Sequence, residues 1–447
     1  MARDLRCVEK HRRREAGPRR SGGWRLATAL LALGALASEP ARAACGGDCN
    51  GDAAVSVAEL IIGVRIALGE ADVGACAPVD ASGDGAVSVA ELIAAVRAAL
   101  GGCAPAARLI ALSREGRIAS LDLAAPWTVR ASADLGADIA SARCRAGRCL
   151  VVHPAVDMIS VVDAADLSAA EPITLPRGAE PRDVALVDEH TAVVGQYGRA
   201  QLLEVDLTTR LTAAIDLSPL ADADGLPEVL RLASCGRRVF AQLRRVDHDT
   251  GVPSPDGAVL AVVDLDRPRD QRVVDADPDT PGIQGIALAA RPAFDMPVDC
   301  AAGRLFVAEP EPLMQGGGGY EEVDLAALVA RDLPIDTGAE VGGFESVGGG
   351  EFWLITHTEF GPGPSSHLTL VGGPAFETHN TFAMEHVNDL ALDRDADRLF
   401  YPDACFTGPA NPSCDRGVYV FQAHSGERLT AKGVDPGFAP IEVVVSR

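Results

Sequence analysis

Two twelve-residue stretches carry the residue types and spacing best suited to chemistry. Asp48-Cys-Asn50-Gly-Asp52-Ala-Ala-Val-Ser56-Val-Ala-Glu59 recurs as Asp80-Ala-Ser82-Gly-Asp84-Gly-Ala-Val-Ser88-Val-Ala-Glu91, and residues 54–61 are repeated letter for letter as 86–93. Each copy sets oxygen-bearing side chains at loop positions 1, 3, 5, 9 and 12. A hard cation such as Ca²⁺ takes about six to eight oxygens, and a loop of this length delivers them at this spacing. In loop one the expected ligands are Asp48, Asn50, Asp52, Ser56 (directly or through water), Glu59 and the carbonyl of Ala54. In loop two they are Asp80, Ser82, Asp84, Ser88, Glu91 and the carbonyl of Ala86. A glutamate at the last position binds through both oxygens. Gly85 suits the sharp turn at the sixth position, where loop one has Ala53 and a positive φ would strain a side chain. Loop two is therefore expected to bind more tightly. Asp and Ser also start helices as N-caps; duplication of the whole ligand set favours the cation.

The elements that must position these ligands follow at once. Apolar runs over 57–68 and 89–100 predict helices, each stopped by glycine, Gly69 or Gly101. Ahead of loop two lies Gly74-Ala-Cys-Ala-Pro78, which offers no entering helix. A calcium loop followed by a helix, with no helix before it, resembles the type I dockerin repeat, here across residues 44–103. The sequence departs from that pattern in its glutamates at position 12, in Ala53, and in four added cysteines. The resemblance implies a small all-α module of paired F-hands holding Ca²⁺. It also implies docking to a cohesin-like or other extracellular protein through Val57-Ala58 and Val89-Ala90, identical in the two copies.

Residues 1–43 read as a signal peptide. A basic run (Arg12, Arg13, Arg14, Arg19, Arg20, Arg25) leads into an apolar stretch over 26–37, and Ala41-Arg42-Ala43 offers small residues for cleavage. That stretch is shorter than the roughly 20 residues needed to span a bilayer. Export implies a secreted, cell-surface or periplasmic protein. Cys7 lies in the leader, and the other cysteines form an even set: Cys45, Cys49, Cys76, Cys103, Cys144, Cys149, Cys235, Cys300, Cys405 and Cys414. Behind a leader such a set predicts disulfides. Cys144 with Cys149 and Cys405 with Cys414 would each close a short loop, and Cys235 would pair with Cys300. The four cysteines of residues 44–103 allow three pairings; Cys45–Cys103 with Cys49–Cys76 is favoured, because packing two loop–helix units brings the chain ends together.

After the linker at 104–107 the helical period gives way to short β-rich runs. Hydrophobic strands capped by aspartate recur at 118–122, 159–163, 203–206, 260–264 and 322–324. Their period of roughly 40 to 60 residues is that of propeller blades. Seven inner strands are expected, starting near Ile139, Pro181, Pro227, Met296, Phe344, Val387 and Pro440. The last has no strands after it, and runs 108–113 and 117–123 have no inner strand before them, so the two ends should complete one blade. The cadence resembles the YVTN-type, lactonase-like propellers of exported bacterial proteins. The fold expected is mainly β: a seven-bladed β-propeller over 108–447 behind the small all-α module.

The formal net charge of −23 argues against nucleic acid as a partner, since that binding is driven by cationic neutralisation of phosphates. Within the propeller, His357, His367, His379 and His386 cluster in sequence near Glu377, Asn380, Glu385, Asn388 and Asp389. They read first as loop histidines on solvent-facing strand ends; the alternative is a metal or acid–base set. The insertion around Asp247 and Asp256 is a further polar loop that does not fit the twelve-residue template. No nucleophile elbow, zinc-protease helix or phosphate loop is present. Two readings remain. One is a non-catalytic binding protein whose propeller meets a protein or glycan. The other is an extracellular hydrolase, polysaccharide-degrading or lactonase-like, carrying a targeting module. Carboxylates converging on the central tunnel would discriminate between them.

Overall fold

The computed structural model describes residues 45–50, 52, 54–101, 103, 107–136, 138–310, 318–335, 340–357, 366–373, 377–384, 389–404 and 416–446. The expected leader, Ala53, His386, Cys405 and Cys414 lie outside the described residues.

Valine, isoleucine and leucine fill the strands, where branched side chains pack well on a pleated surface. The described strands form seven antiparallel sheets. Blade 1 runs Glu442–Ser446, Arg108–Leu112, Arg117–Asp122 and Val129–Asp134 from inside to outside. The last strand of the chain thus pairs with the first strand after the helices, with Leu112 opposite Glu442 and Arg108 opposite Ser446. The inner strands of blades 2 to 7 are Ser141–Arg145, Pro181–Leu186, Val229–Cys235, Val298–Asp299, Glu340–Gly348 and Ala391–Asp393. These match the seven expected starts to within a few residues. Blade 7 shows three strands among the described residues, its outer edge reduced to single bridges such as Val418 with Val434.

The recurring terminal aspartate has a local cause. Asp163 accepts the amide N–H of Ala165 at 2.8 Å, Asp206 those of Thr208 and Thr209 at 2.8 Å, and Asp324 those of Ala326 and Ala327 at 2.8 Å. Each carboxylate ties off the turn that follows its strand. The sequence period is thus a period of turns.

An apolar cluster seals each junction between neighbouring blades. Ile110, Leu112 and Ile118 of blade 1 meet Cys149, Val151 and Val162 of blade 2. Trp353 and Leu370 of blade 6 meet Tyr401 and Phe421 of blade 7, and the indole N–H of Trp353 donates to the Ala423 carbonyl at 2.8 Å. Phe400 and Val420 of blade 7 meet Leu109, Leu121 and Val443 of blade 1, which completes the circle. A fully buried side chain of this size contributes about 1.5–3 kcal/mol.

Ahead of the propeller, α1 (Val57–Ala67) and α2 (Val89–Gly101) pack around Ile66, Cys76, Val79, Val87 and Ala95. Gly63 permits the close approach: a Cβ there would meet Val79 at 3.0 Å and Leu92 at 3.2 Å. Where no helix was expected ahead of loop two, the chain makes two single 3₁₀ turns, Val73–Ala75 and Ala77–Val79; the first is capped by Asp72 and the second carries a proline in its first turn. The favoured pairs Cys45–Cys103 and Cys49–Cys76 are formed, as are Cys144–Cys149 within blade 2 and Cys235–Cys300 between blades 4 and 5.

Because the junction of blades 7 and 1 closes the ring, Phe400→Ala is expected to remove about 3–5 kcal/mol of stability. Denaturant unfolding monitored by tryptophan fluorescence measures it. A loss below about 1 kcal/mol would mean that this junction does not hold the ring.

Candidate functional site

The loop residues fold as helix starts with their carboxylates drawn over the backbone. Ser56 caps α1 and Glu59 answers it, accepting the N–H groups of Ser56 at 2.7 Å and of Cys49 at 2.9 Å. Glu91 does the same in loop two, accepting the N–H groups of Ser88 at 2.7 Å and Ser82 at 2.9 Å. The Ser88 and Ser82 amides hold the Glu91 carboxyl down at about 2. Asp80 accepts from Gly83 and Gly85 at 2.9 and 2.8 Å, and Gly85 takes the positive φ of 84° that its position requires. Asp48 is buried and accepts from Asp52 at 3.2 Å, while Asn50 donates to Asp52 at 2.9 Å. Asp84 accepts from Ala86 at 2.9 Å. The donor set is all oxygen, which suits a hard cation. Among the described residues, though, no group of three His, Cys, Asp or Glu side chains is gathered closely enough to hold a metal ion.

The same two helices carry a doubled apolar stripe. Val57, Ile61, Val64 and Leu68 are exposed along α1 and its cap, and Val89, Ile93, Val96 and Leu100 repeat the pattern on α2. Spacings of three and four residues put each set on one helix face. Val57 and Val89 are 72% and 73% exposed, and Leu68 and Leu100 are 69% and 85% exposed.

The propeller places a second constellation on its axis. Each inner strand, or the residues leading into it, brings one ionisable side chain: Arg143, Asp183, Arg231, Asp295, Glu345, Asp389 and Glu442. An inner cavity of about 360 Å³ is lined by Arg143, Asp295, Glu345 and Asp389. An outer one of about 740 Å³ is lined by Arg231, Asp295, Asp389 and Glu442, with Arg114, Asp138 and Arg182 also on its wall. Asp295 and Asp389 line both, so the two cavities adjoin along the channel.

Arg143 reaches Asp183 and Asp295 at 2.9 Å and Glu442 at 3.7 Å; Arg231 reaches Asp295 at 2.9 Å. Several carboxylates also accept an N–H from the next blade. Glu442 takes that of Ala142 at 2.7 Å, Asp183 that of Leu232 at 2.9 Å, and Asp389 that of Val443 at 2.6 Å. Burial pushes the Glu442 carboxyl up to about 7 against the pull of Arg143. It pushes Glu345 up to about 7 as well, against Arg394. Asp389 lies well above the carboxylate range, through burial first and then the charges of Glu442 and Asp295. For Asp295 burial is outweighed by Arg143 and Arg231, which hold its carboxyl low.

The two histidines of the run whose side chains are described, His357 and His367, do not converge. His357 is buried with its Nδ1 2.8 Å from the Ser366 hydroxyl. His367 pairs with Thr356, the neighbour of His357, so the two imidazoles leave opposite faces of the sheet. The His379 side chain lies outside the described residues. Among the described residues of that run, Asp389 lines the channel. In the insertion, Asp247 accepts from the Thr250 amide at 2.8 Å and Asp256 lies 3.7 Å from Arg245, a turn and an ion pair. Sequence reading missed the ring itself. A signal existed: an acid stands third in Pro181-Arg-Asp183, Val387-Asn-Asp389 and Pro440-Ile-Glu442, each at an inner-strand start.

Carboxyls whose folded pKa is raised bind more protons than in the unfolded chain, so stability falls as pH rises between their ordinary and raised values. With Glu345 and Glu442 at about 7, melting temperature should fall from about pH 5 to about pH 8. Glu442→Gln should shallow that slope. A melting curve independent of pH over this window would contradict the placement of these groups.

The sequence matches no family model and no curated protein. Among solved structures, a functionally unknown protein from Desulfotomaculum acetoxidans superposes with a TM-score of 0.51 at 13% identity, covering 76% of this chain and 99% of that one. AztD from Citrobacter koseri gives 0.48 at 11% identity, covering 76% and 97%. Dihydro-heme d1 dehydrogenase NirN gives 0.48 at 16%, covering 76% and 74%. At these identities the similarity shows the fold alone: this chain is a seven-bladed propeller.

Proposed function

We propose that this chain is an exported binding protein with two working parts. A dockerin-like helical pair, held by calcium in its two loops, attaches the molecule to an extracellular protein, and the propeller channel receives a ligand. The observation that carries the attachment reading is the apolar stripe repeated at matching positions on α1 and α2. Two equivalent exposed faces of this kind on one disulfide-stapled unit suit a partner surface better than solvent. Calcium would draw in the oxygens of Asp48, Asn50, Asp52, Ser56, Glu59 and the Ala54 carbonyl, and of Asp80, Ser82, Asp84, Ser88, Glu91 and the Ala86 carbonyl. The Ser56–Glu59 and Ser88–Glu91 capping contacts support this, because they already fix the glutamates that would bind through both oxygens.

Calorimetric titration of the full exported protein should find two Ca²⁺ sites, loop two the tighter. Glu91→Ala should abolish most of the loop-two heat. A flat titration would remove the calcium reading, and equal affinities would remove the ranking. Ile61→Asp combined with Ile93→Asp should release the protein from the surface or secretome of its source cell; retention unchanged by the pair would remove the docking face.

A hydrolase is the second reading, favoured by one observation. The channel holds carboxyls pushed apart in acidity, Asp295 low and Asp389 high, as an acid–base pair requires. Against it, Asp295 is clamped by two guanidiniums at 2.9 Å, which weakens it as a base or nucleophile. Screening glycans and lactones for binding and for turnover separates the readings: turnover lost in Asp389→Asn would favour the enzyme, binding without turnover the first reading.

A further inference from the structure

We infer that the channel is a site for a small organic cation, a primary ammonium on a short carbon chain, received between Asp389 and Glu442. The inference extends the propeller half of the reading above by naming the ligand class. It starts from how the charges are paired. The two cavities are lined by five carboxyls (Asp138, Asp295, Glu345, Asp389 and Glu442) and four guanidiniums (Arg114, Arg143, Arg182 and Arg231), and the two guanidiniums deepest among them are committed: Arg143 to Asp183, Asp295 and Glu442, and Arg231 to Asp295. Glu345 has Arg394 at 3.3 Å on its outer side. Among the described residues, Asp389 and Glu442 face the outer cavity with backbone N–H groups as their closest donors, and Glu442 has the longer 3.7 Å contact to Arg143 besides.

Size and lining argue for an organic cation over a bare ion. The two adjoining volumes, about 360 and about 740 Å³, are each on the scale of small-molecule pockets, whereas a water fills roughly 30 Å³. Met296, Phe344, Leu392 and Val443 line the inner cavity and offer a carbon chain an apolar wall. No three-ligand metal group is gathered there among the described residues. An anion would find Arg143 and Arg231 already paired with carboxylates. At the mouth stand Arg114, Asp138 and Arg182; the Arg182 guanidinium lies 5.0 Å from the Tyr197 ring centroid, stacked on the wall. The chain as a whole, at −23, draws cations toward any opening.

An arriving ammonium favours the ionised forms of Asp389 and Glu442, both raised, so binding expels protons. The test is calorimetry of the full exported protein with 1,5-diaminopentane at about pH 7, in two buffers of different ionisation heat. Saturable binding with net proton release is expected, and affinity should rise at least several-fold between about pH 6 and pH 7. Asp389→Asn and Glu442→Gln, which keep an acceptor for the Val443 and Ala142 amides, should each weaken binding at least about ten-fold, with melting curves confirming that they fold. The wild-type pH dependence needs no variant. Absence of diamine binding, or binding unchanged in both variants, overturns the inference. If 1,5-pentanediol binds as tightly and Asp389→Asn abolishes both, the channel remains a ligand site and the cation assignment falls. If neither compound nor any member of the glycan and lactone screen binds, the ligand-site reading falls too.

Discussion

Everything in the propeller depends on one pairing, that of Glu442–Ser446 with Arg108–Leu112. Without it the sheet series has two free ends, and edge strands invite the wrong partners. With it, the cluster of Phe400, Val420, Leu109 and Val443 is buried, and each blade presents both faces to neighbours. The same pairing sets Glu442 at the first register position, opposite Leu112, and so delivers an acid from the end of the chain to the axis.

Closure therefore has an electrostatic consequence. Seven inner strands brought around one axis bring seven ionisable side chains together, six of them on the cavity walls and Asp183 buried behind Arg143. Some of that charge is structural. Glu442, Asp183 and Asp389 each accept an amide of the following blade, fastening the junctions near the axis as the apolar clusters fasten them further out. The rest is less closely paired: among the described residues the nearest guanidinium to Glu442 stands at 3.7 Å, and Asp389 is held by the Val443 amide. A buried, loosely paired carboxyl takes up a proton or a cation. The channel is thus poised between two occupants, and its acidity and its binding are one property.

Much of this was legible in the sequence, for physical reasons. Terminal aspartates such as Asp163, Asp206 and Asp324 recur because each ties off a turn, and the period of turns is the period of blades. The orphan strands at the two ends of the chain declared the closing blade. The duplicated loops declared the helices, since Ser56 and Ser88 stand three residues before Glu59 and Glu91. The channel was less legible. Its members stand at unequal intervals, and insertions such as that around His248 stretch the spacing. For the two described histidines, proximity along the chain says little about direction: His357 and His367 leave opposite faces of one sheet. The apolar stripe was also hidden, since α1 is apolar nearly all round and only packing shows that Gly63 and Ile66 face inward while Ile61 and Val64 do not.

The most direct test of the account is the ionisation state of the channel itself. Infrared difference spectra taken through a pH titration report protonated carboxyls by their carbonyl stretch. The account predicts a protonated-carboxyl band that persists to about pH 7 in the wild type, loses intensity in Glu442→Gln and again in Asp389→Asn. Complete ionisation of every carboxyl by about pH 5.5, with wild type and variants indistinguishable above it, would contradict it.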